Sequence, residues 1–169
     1  MSKYVKLARE ALENYVLNNN ILDIPNYVDS ELLENRSGVF VSIKKDGSLR
    51  GCIGTISPTQ ESMAHEIILN AISSGTRDYR FEPVSEDELA DLVYSVDVLM
   101  PAESISDISE LDVKKYGVIV TSGLRRGLLL PNLEGVETVG DQVSIALSKA
   151  GISPNEPYEL ERFEVIRHK

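Results

Sequence analysis

The sequence predicts an α+β fold, a largely antiparallel sheet with packed helices. Three observations point there. Two stretches read as strand–turn–strand hairpins, one from Val39 to Ile56 and one from Tyr116 to Leu130. Segments with helical apolar spacing are set before, between and after them. A hairpin joins neighbouring strands antiparallel, whereas a parallel sheet needs a crossover after each strand.

Residues 3 to 18 place Val5, Ala8, Leu12, Tyr15 and Val16 on one helical face, and Asn18-Asn19-Asn20 ends the run. Pro25 prevents immediate resumption, and 22 to 36 reads as a connection with a helical turn around Ser30 to Leu33. Val39 to Ile43 is strand-like, Lys45-Asp46-Gly47 supplies a turn, and Ser48 to Ile56 returns. Ser57-Pro58-Thr59-Gln60 carries a helix start, with Ser57 as cap, Pro58 at the first position and Gln60 closing a capping box. Met63, Ala64, Ile67, Ile68, Ala71 and Ile72 then form an apolar face, and Gly75 ends the helix. Ser85-Glu86-Asp87-Glu88 is a second capping box, opening a short helix before a strand over 93–100. Tyr116 to Ser122 and Gly127 to Leu130 flank a turn at Gly123-Leu124-Arg125-Arg126. Thr138 to Ala150 is a helix with Gly151 at its end, and Glu159 to Arg167 is a closing strand. No repeat, low-complexity segment or linker interrupts the chain, so residues 1–169 read as a single domain.

Composition narrows the class of function. One cysteine in 169 residues makes no internal disulfide, which fits a reducing cytosol. The first residues lack the apolar core of a signal peptide, and no run is long enough to span a bilayer; a cytoplasmic protein without membrane attachment is expected. Net charge is −10, and from Phe81 to Val113 there is no Lys or Arg. Such a chain repels phosphate backbones, so nucleic-acid binding is not expected. Arg50, the Arg77/Arg80 pair and Arg125-Arg126 stand outside the acidic stretch; brought together, they would make a hollow for a small anionic ligand. His65 and His168 bear no metal-ligand spacing to Cys52, and no phosphate loop, dinucleotide fingerprint or serine elbow is present; neither metal nor cofactor is expected. His65 reads as a surface or satisfied histidine, and His168 as part of a mobile terminus.

The lone cysteine lies in Arg50-Gly51-Cys52-Ile53-Gly54-Thr55. In a strand, Arg50 and Cys52 share a face, and a guanidinium in reach favours thiolate over thiol. Cys52 is then a nucleophile with Arg50 as its thiolate stabiliser. The alternative is a small, buried, inert residue, the commonest fate of an unbridged cysteine. Gly51 and Gly54 mark places where a backbone or a ligand comes close.

These residues resemble a known signature. Leu49-Arg50-Gly51-Cys52-Ile53-Gly54-Thr55 is similar to that of the AMMECR domain family, the AmmeMemoRadiSam system protein A-like group. Asp78-Tyr79-Arg80-Phe81-Glu82-Pro83, the Tyr116–Val120 and Arg126–Pro131 segments, and Lys149-Ala150-Gly151 agree with it in order and spacing. The chain departs from the family pattern at Tyr79, where proline is usual, at Asn132-Leu133, in having no Trp, and at Leu147-Ser148, where a second cysteine would fall. The resemblance implies a larger and a smaller lobe with the Cys52 segment beside a cleft between them. It also implies companions, a radical-SAM protein and a Memo-type protein. Arg50, Gly51, Gly54, Asp78, Arg80 and Arg126 are the candidate ligand-binding residues. Three functions follow: a binding module for a small anionic ligand or peptide end, an adaptor among protein partners, or a cysteine-dependent enzyme or thiol carrier. The first two rank ahead, because the sequence identifies no base for the thiol.

Overall fold

The computed structural model describes residues 1–169, and the chain divides into two compact units, Met1–Leu99 with Ile166–Lys169, and Met100–Val165. The first unit begins with α1 (Lys3–Asn18). Ser2 caps it by accepting from the Val5 N–H, and Asn19 closes it in the left-handed region at φ 55°. After α2 (Ser30–Glu34) come β1 (Val39–Lys45) and β2 (Ser48–Gly54), joined through Asp46 and Gly47, both at positive φ as a tight hairpin requires. α3 (Met63–Thr76), a short 3₁₀ helix (Glu86–Asp91) and β3 (Leu92–Leu99) follow. β8 (Val165–His168) completes a four-stranded sheet of order β2-β1-β3-β8, with β1 antiparallel to β2 and β3.

Alternation along β1 and β3 decides what this sheet does. Val39, Val41 and Ile43, with Tyr94, Val96 and Val98, are buried in one core with Leu7, Leu12, Ile67 and Ile68 of α1 and α3. The intervening residues, Ser42, Ser95 and Asp97 among them, face the other side.

α3 starts later than Ser57. Its cap is Ser62, which accepts from the His65 N–H, and 57–62 is a loop held by Glu66. That carboxylate is 1% exposed and accepts from Thr55 and Thr59 hydroxyls and from the Thr59 and Gln60 amides. The Gln60 amide that the sequence assigns to a capping box thus binds, together with the Thr59 amide, a carboxylate one turn inside the helix. Nor does Gly75 end α3: it lies within the helix, where a Cβ would meet Leu12 Cδ1 of α1 at 2.4 Å.

The second unit carries β4 (Glu103–Ile105), a 3₁₀ turn (Ile108–Glu110), β5 (Gly117–Ser122), β6 (Arg125–Leu129), α4 (Val139–Ala150) and β7 (Glu159–Phe163). Its antiparallel sheet runs β4-β7-β5-β6, and Val118, Val120 and Leu129 share a core with Val143, Ala146 and Leu147 of α4. The β5–β6 turn is only Gly123-Leu124, so Arg125 and Arg126 are strand residues. The expected closing strand is two strands parted at Glu164, one for each sheet. No helix is long and apolar enough to cross a membrane.

The tightest seam in the first unit is β2 against α3. A Cβ on Gly51 would stand 2.0 Å from the Ser74 carbonyl oxygen, a backbone atom that cannot step aside. Gly51→Ala is therefore expected to cost about 1–3 kcal/mol, read as a lower urea midpoint at unchanged m-value. Gly140 in α4 has only Thr138 Oγ1 nearby, at 3.8 Å. There Gly→Ala is expected to add about 0.4–1 kcal/mol, so the two variants should move the midpoint in opposite directions.

Candidate functional site

Cys52 sits half-buried on β2 opposite Ser42 of β1, and Ser42 stands opposite Ser95 of β3. The row lies on the sheet face turned away from α1 and α3. Cys52 Sγ and Ser42 Oγ are 3.3 Å apart. The Cys52 N–H donates to Asp78 Oδ2 at 3.0 Å, and Arg80 Nη2 lies 3.5 Å from the Cys52 carbonyl. Ile53 N–H donates to Ser74 Oγ at 2.8 Å, which in turn donates to the Val41 carbonyl. The strand is thus held from both α3 and the loop that follows it.

Asp78 organises that loop. Arg80 Nε and Nη2 donate to its two oxygens at 3.0 and 2.7 Å, and the Arg80 N–H adds a third bond. The guanidinium holds the buried Asp78 carboxyl down at about 2, against the opposing effect of burial and with help from the Cys52 N–H. The Arg80 guanidinium is pushed up in return, chiefly by Asp78 and to a lesser degree by the charge of a Cys52 thiolate. Tyr79, between them, is 96% exposed.

A second cation lies within electrostatic range of the same cysteine. Asp97 of β3 is 3% exposed and takes Arg167 Nε and Nη2 of β8 at 2.8 and 2.7 Å. Asp97 pushes the Arg167 guanidinium up, and the Cys52 thiolate charge adds to this. Ser42, Asp97 and Arg167 are absent from the sequence-derived candidates. A lone aspartate inside the apolar run Leu92–Leu99 was the available signal, since a carboxylate there needs a buried partner. Nothing in the sequence names Arg167 as that partner.

Arg50 is held elsewhere. The register slips between Ile43 and Lys44, leaving Arg50 as the extra residue of a β-bulge, which breaks the alternation it would share with Cys52. Its Nε and Nη2 donate to both oxygens of Glu88 at 2.9 and 3.0 Å, and Lys45 joins at 3.2 Å. Glu88 lies well below the usual carboxylate range because of Arg50 first, then the Ser85 N–H and Lys45. Gly51 faces α3, and a Cβ on Gly54 would meet the Phe40 ring at 2.3 Å and the Val39 carbonyl at 2.5 Å, so both glycines serve close packing.

The arginines do not pool their charge. Arg50 binds Glu88, Arg80 binds Asp78, and in the second unit Arg125 binds Glu156 and Arg126 binds Glu161. Arg126 also lines an open groove of about 670 Å³ with Thr121, Ser104 and Tyr158. His65 exchanges a hydrogen bond with Ser62 and faces Glu61. His168 is packed, not loose: its ring stacks on Tyr4 at 3.7 Å, and burial pushes its pKa down.

Two antiparallel sheets, helices on one side of each, and an Arg-Gly-Cys-Ile-Gly strand clamped by an Asp–Arg loop define the class. The chain belongs to the AMMECR1 family, whose model matches residues 5–168. A protein of Thermotoga maritima is 54% identical over 168 residues, covering 98% of this chain and 97% of that one. A Clostridium acetobutylicum protein is 56% identical over 167 residues, and there the chain spans only 36% of its relative. The crystal structure of the uncharacterized protein PH0010 from Pyrococcus horikoshii superimposes with a TM-score of 0.90 at 31% identity, covering 97% of this chain and 88% of that one.

Asp78→Asn removes the charge that Arg80 and the Cys52 amide share, at an expected cost of about 1–3 kcal/mol at neutral pH. Its folded pKa is below the unfolded value of about 3.9. The Asp78 contribution is therefore complete above that value and lost as pH falls towards its folded pKa of about 2. Wild type and variant should differ in melting temperature at pH 7 and converge on acidification. A gap that does not narrow would contradict this assignment.

Proposed function

We propose that this protein is a ligand- or partner-binding component of a radical-SAM/Memo-associated modification system, engaging its target at Tyr79 and Arg80 beside Cys52. The carrying observation is the state of Arg80. Nε and Nη2 are spent on Asp78 and on the Cys52 carbonyl, yet the side chain stays 47% exposed, with Nη1 available for an incoming carboxylate or phosphate. Beside it stands the nearly fully exposed Tyr79 ring. Tyrosine and arginine dominate the energetics of protein interfaces, and here both stand on a loop tied down by a buried carboxylate. The system is what the resemblance to the AMMECR family implies, and the chain belongs to that family.

The test is co-purification of the tagged chain with radical-SAM and Memo-type proteins expressed alongside it. Capture is expected from the wild type and is expected to fall at least about tenfold, 1.4 kcal/mol, for Tyr79→Ala, which removes no hydrogen bond. No capture, or equal capture by the variant, would overturn the reading.

One observation favours a second reading, cysteine-dependent chemistry. Arg80 and Arg167 both lie within electrostatic range of the Cys52 thiolate. Iodoacetamide alkylation followed against pH should then show a midpoint below the ordinary thiol value of about 8.5. The midpoint should rise in Arg167→Gln and in Arg80→Gln. A midpoint at or above that value, insensitive to both variants, leaves Cys52 as a packing residue.

A further inference from the structure

A separate pocket of about 270 Å³ lies between the end of α1 and the last two turns of α3. Tyr15, Ile21, Leu69 and Ile72 supply apolar walls, and Gln60, Asn70, Ser73 and Arg77 line it beside them. Ile21 is 59% exposed, a large apolar side chain left uncovered at the mouth. No aspartate or glutamate lines this space, in a chain that carries 27 of them.

Arg77 is the one charged group here; the Tyr15 and Ser73 hydroxyls can donate beside it, and the Gln60 and Asn70 amides offer donors and acceptors alike. Arg9, Arg50, Arg80, Arg125, Arg126, Arg162 and Arg167 each have a carboxylate within salt-bridge distance, and Arg36 donates to the Gln60 carbonyl. The Arg77 guanidinium has neither. The hydroxyls of Tyr15 and Ser73 are likewise not engaged by the protein. A helix C-terminus normally disfavours an anion, but the terminal carbonyls of α3 are largely occupied. Ile72 O accepts from Thr76 Oγ1, Ser73 O from the Arg77 N–H, and Gly75 O from the Val84 N–H. Their partial negative charge is thereby offset where the guanidinium leaves the helix.

We infer that this pocket binds a small amphiphilic carboxylate, its acid group on Arg77 with the Tyr15 and Ser73 hydroxyls, its apolar body against Ile21, Leu69 and Ile72. Apolar walls with a few convergent polar groups are the ordinary make-up of a small-molecule site. At about 30 Å³ per non-hydrogen atom, the share a water molecule takes, the space suits a body of roughly nine atoms. An arylacetate or a short branched-chain acid has that size and one charge at one end. Its lining shares no residue with the Cys52 site, although Arg77 directly precedes Asp78, and failure here would leave the proposed function standing.

Phenylacetate is the probe, titrated into the isotope-labelled full chain. Saturable amide shifts are expected at Tyr15, Leu69, Ser73 and Arg77, with half-saturation in the millimolar range or tighter. Phenylacetamide, the neutral isostere, is expected to bind at least about tenfold more weakly. Arg77→Gln should weaken phenylacetate by the same factor, and Arg77→Lys should restore part of the loss. Inorganic phosphate, lacking the apolar body, should not saturate. Absence of saturation by phenylacetate, shifts centred on other residues, or equal binding of acid and amide would each overturn the inference. The last comparison needs no variant.

Discussion

Everything around Cys52 depends on how closely β2 can approach α3. The approach is set by a residue without a side chain, Gly51, seated against the Ser74 carbonyl. At that distance Ser74 Oγ can bond both sheet strands, donating to Val41 O and accepting from Ile53 N–H. The helix is then fixed to the sheet by a hydroxyl as well as by the burial of Ile67, Ile68 and Ala71. Gly75, one residue on, lets Leu12 of α1 cross equally close. Both contacts sit at the end of α3, just before the Asp78 loop, so the loop inherits the rigidity of the packed helix.

Much of this was legible in the chain, because local physics settles it. The α1 face, the Asp46-Gly47 hairpin, the Ser85–Glu88 box and the Thr138 to Gly151 helix rest on interactions within a few residues of each other. What escaped was non-local or locally ambiguous. Ser57-Pro58-Thr59-Gln60 has the composition of a helix start, but Glu66 captures those amides and Ser62 becomes the cap. The run from Glu159 to Arg167 alternates as one strand would, and no residue type in it announces a change of sheet at Glu164. Arg125 and Arg126 read as turn residues, but Gly123-Leu124 alone closes the hairpin and both arginines pair within β6.

The site was half legible for the same reason. Cys52, Asp78 and Arg80 stand in recognisable segments. Asp97 and Arg167 meet across 70 positions of sequence, and only the placement of β8 beside β3 brings them together. Arg50 was assigned by an alternation rule that a one-residue bulge suspends. The acidic excess has a related reading. Glu88, Asp78, Asp97, Glu156 and Glu161 are each consumed by an arginine, so the negative charge that remains to act at a distance sits on other residues.

The Asp78–Arg80 pair also governs what the sheet cannot do. β2 is an outer strand, and an outer strand offers unpaired N–H and C=O groups on which another chain can add itself. At Cys52 the carboxylate fills the amide and the guanidinium faces the carbonyl, an imitation of a neighbouring strand by two side chains. Ser74 works on the inner side of the strand instead, bridging the Ile53 amide to the Val41 carbonyl of β1. The edge position that carries the only thiol is thereby already filled, so an added strand would have to displace the Asp78–Arg80 pair at Cys52.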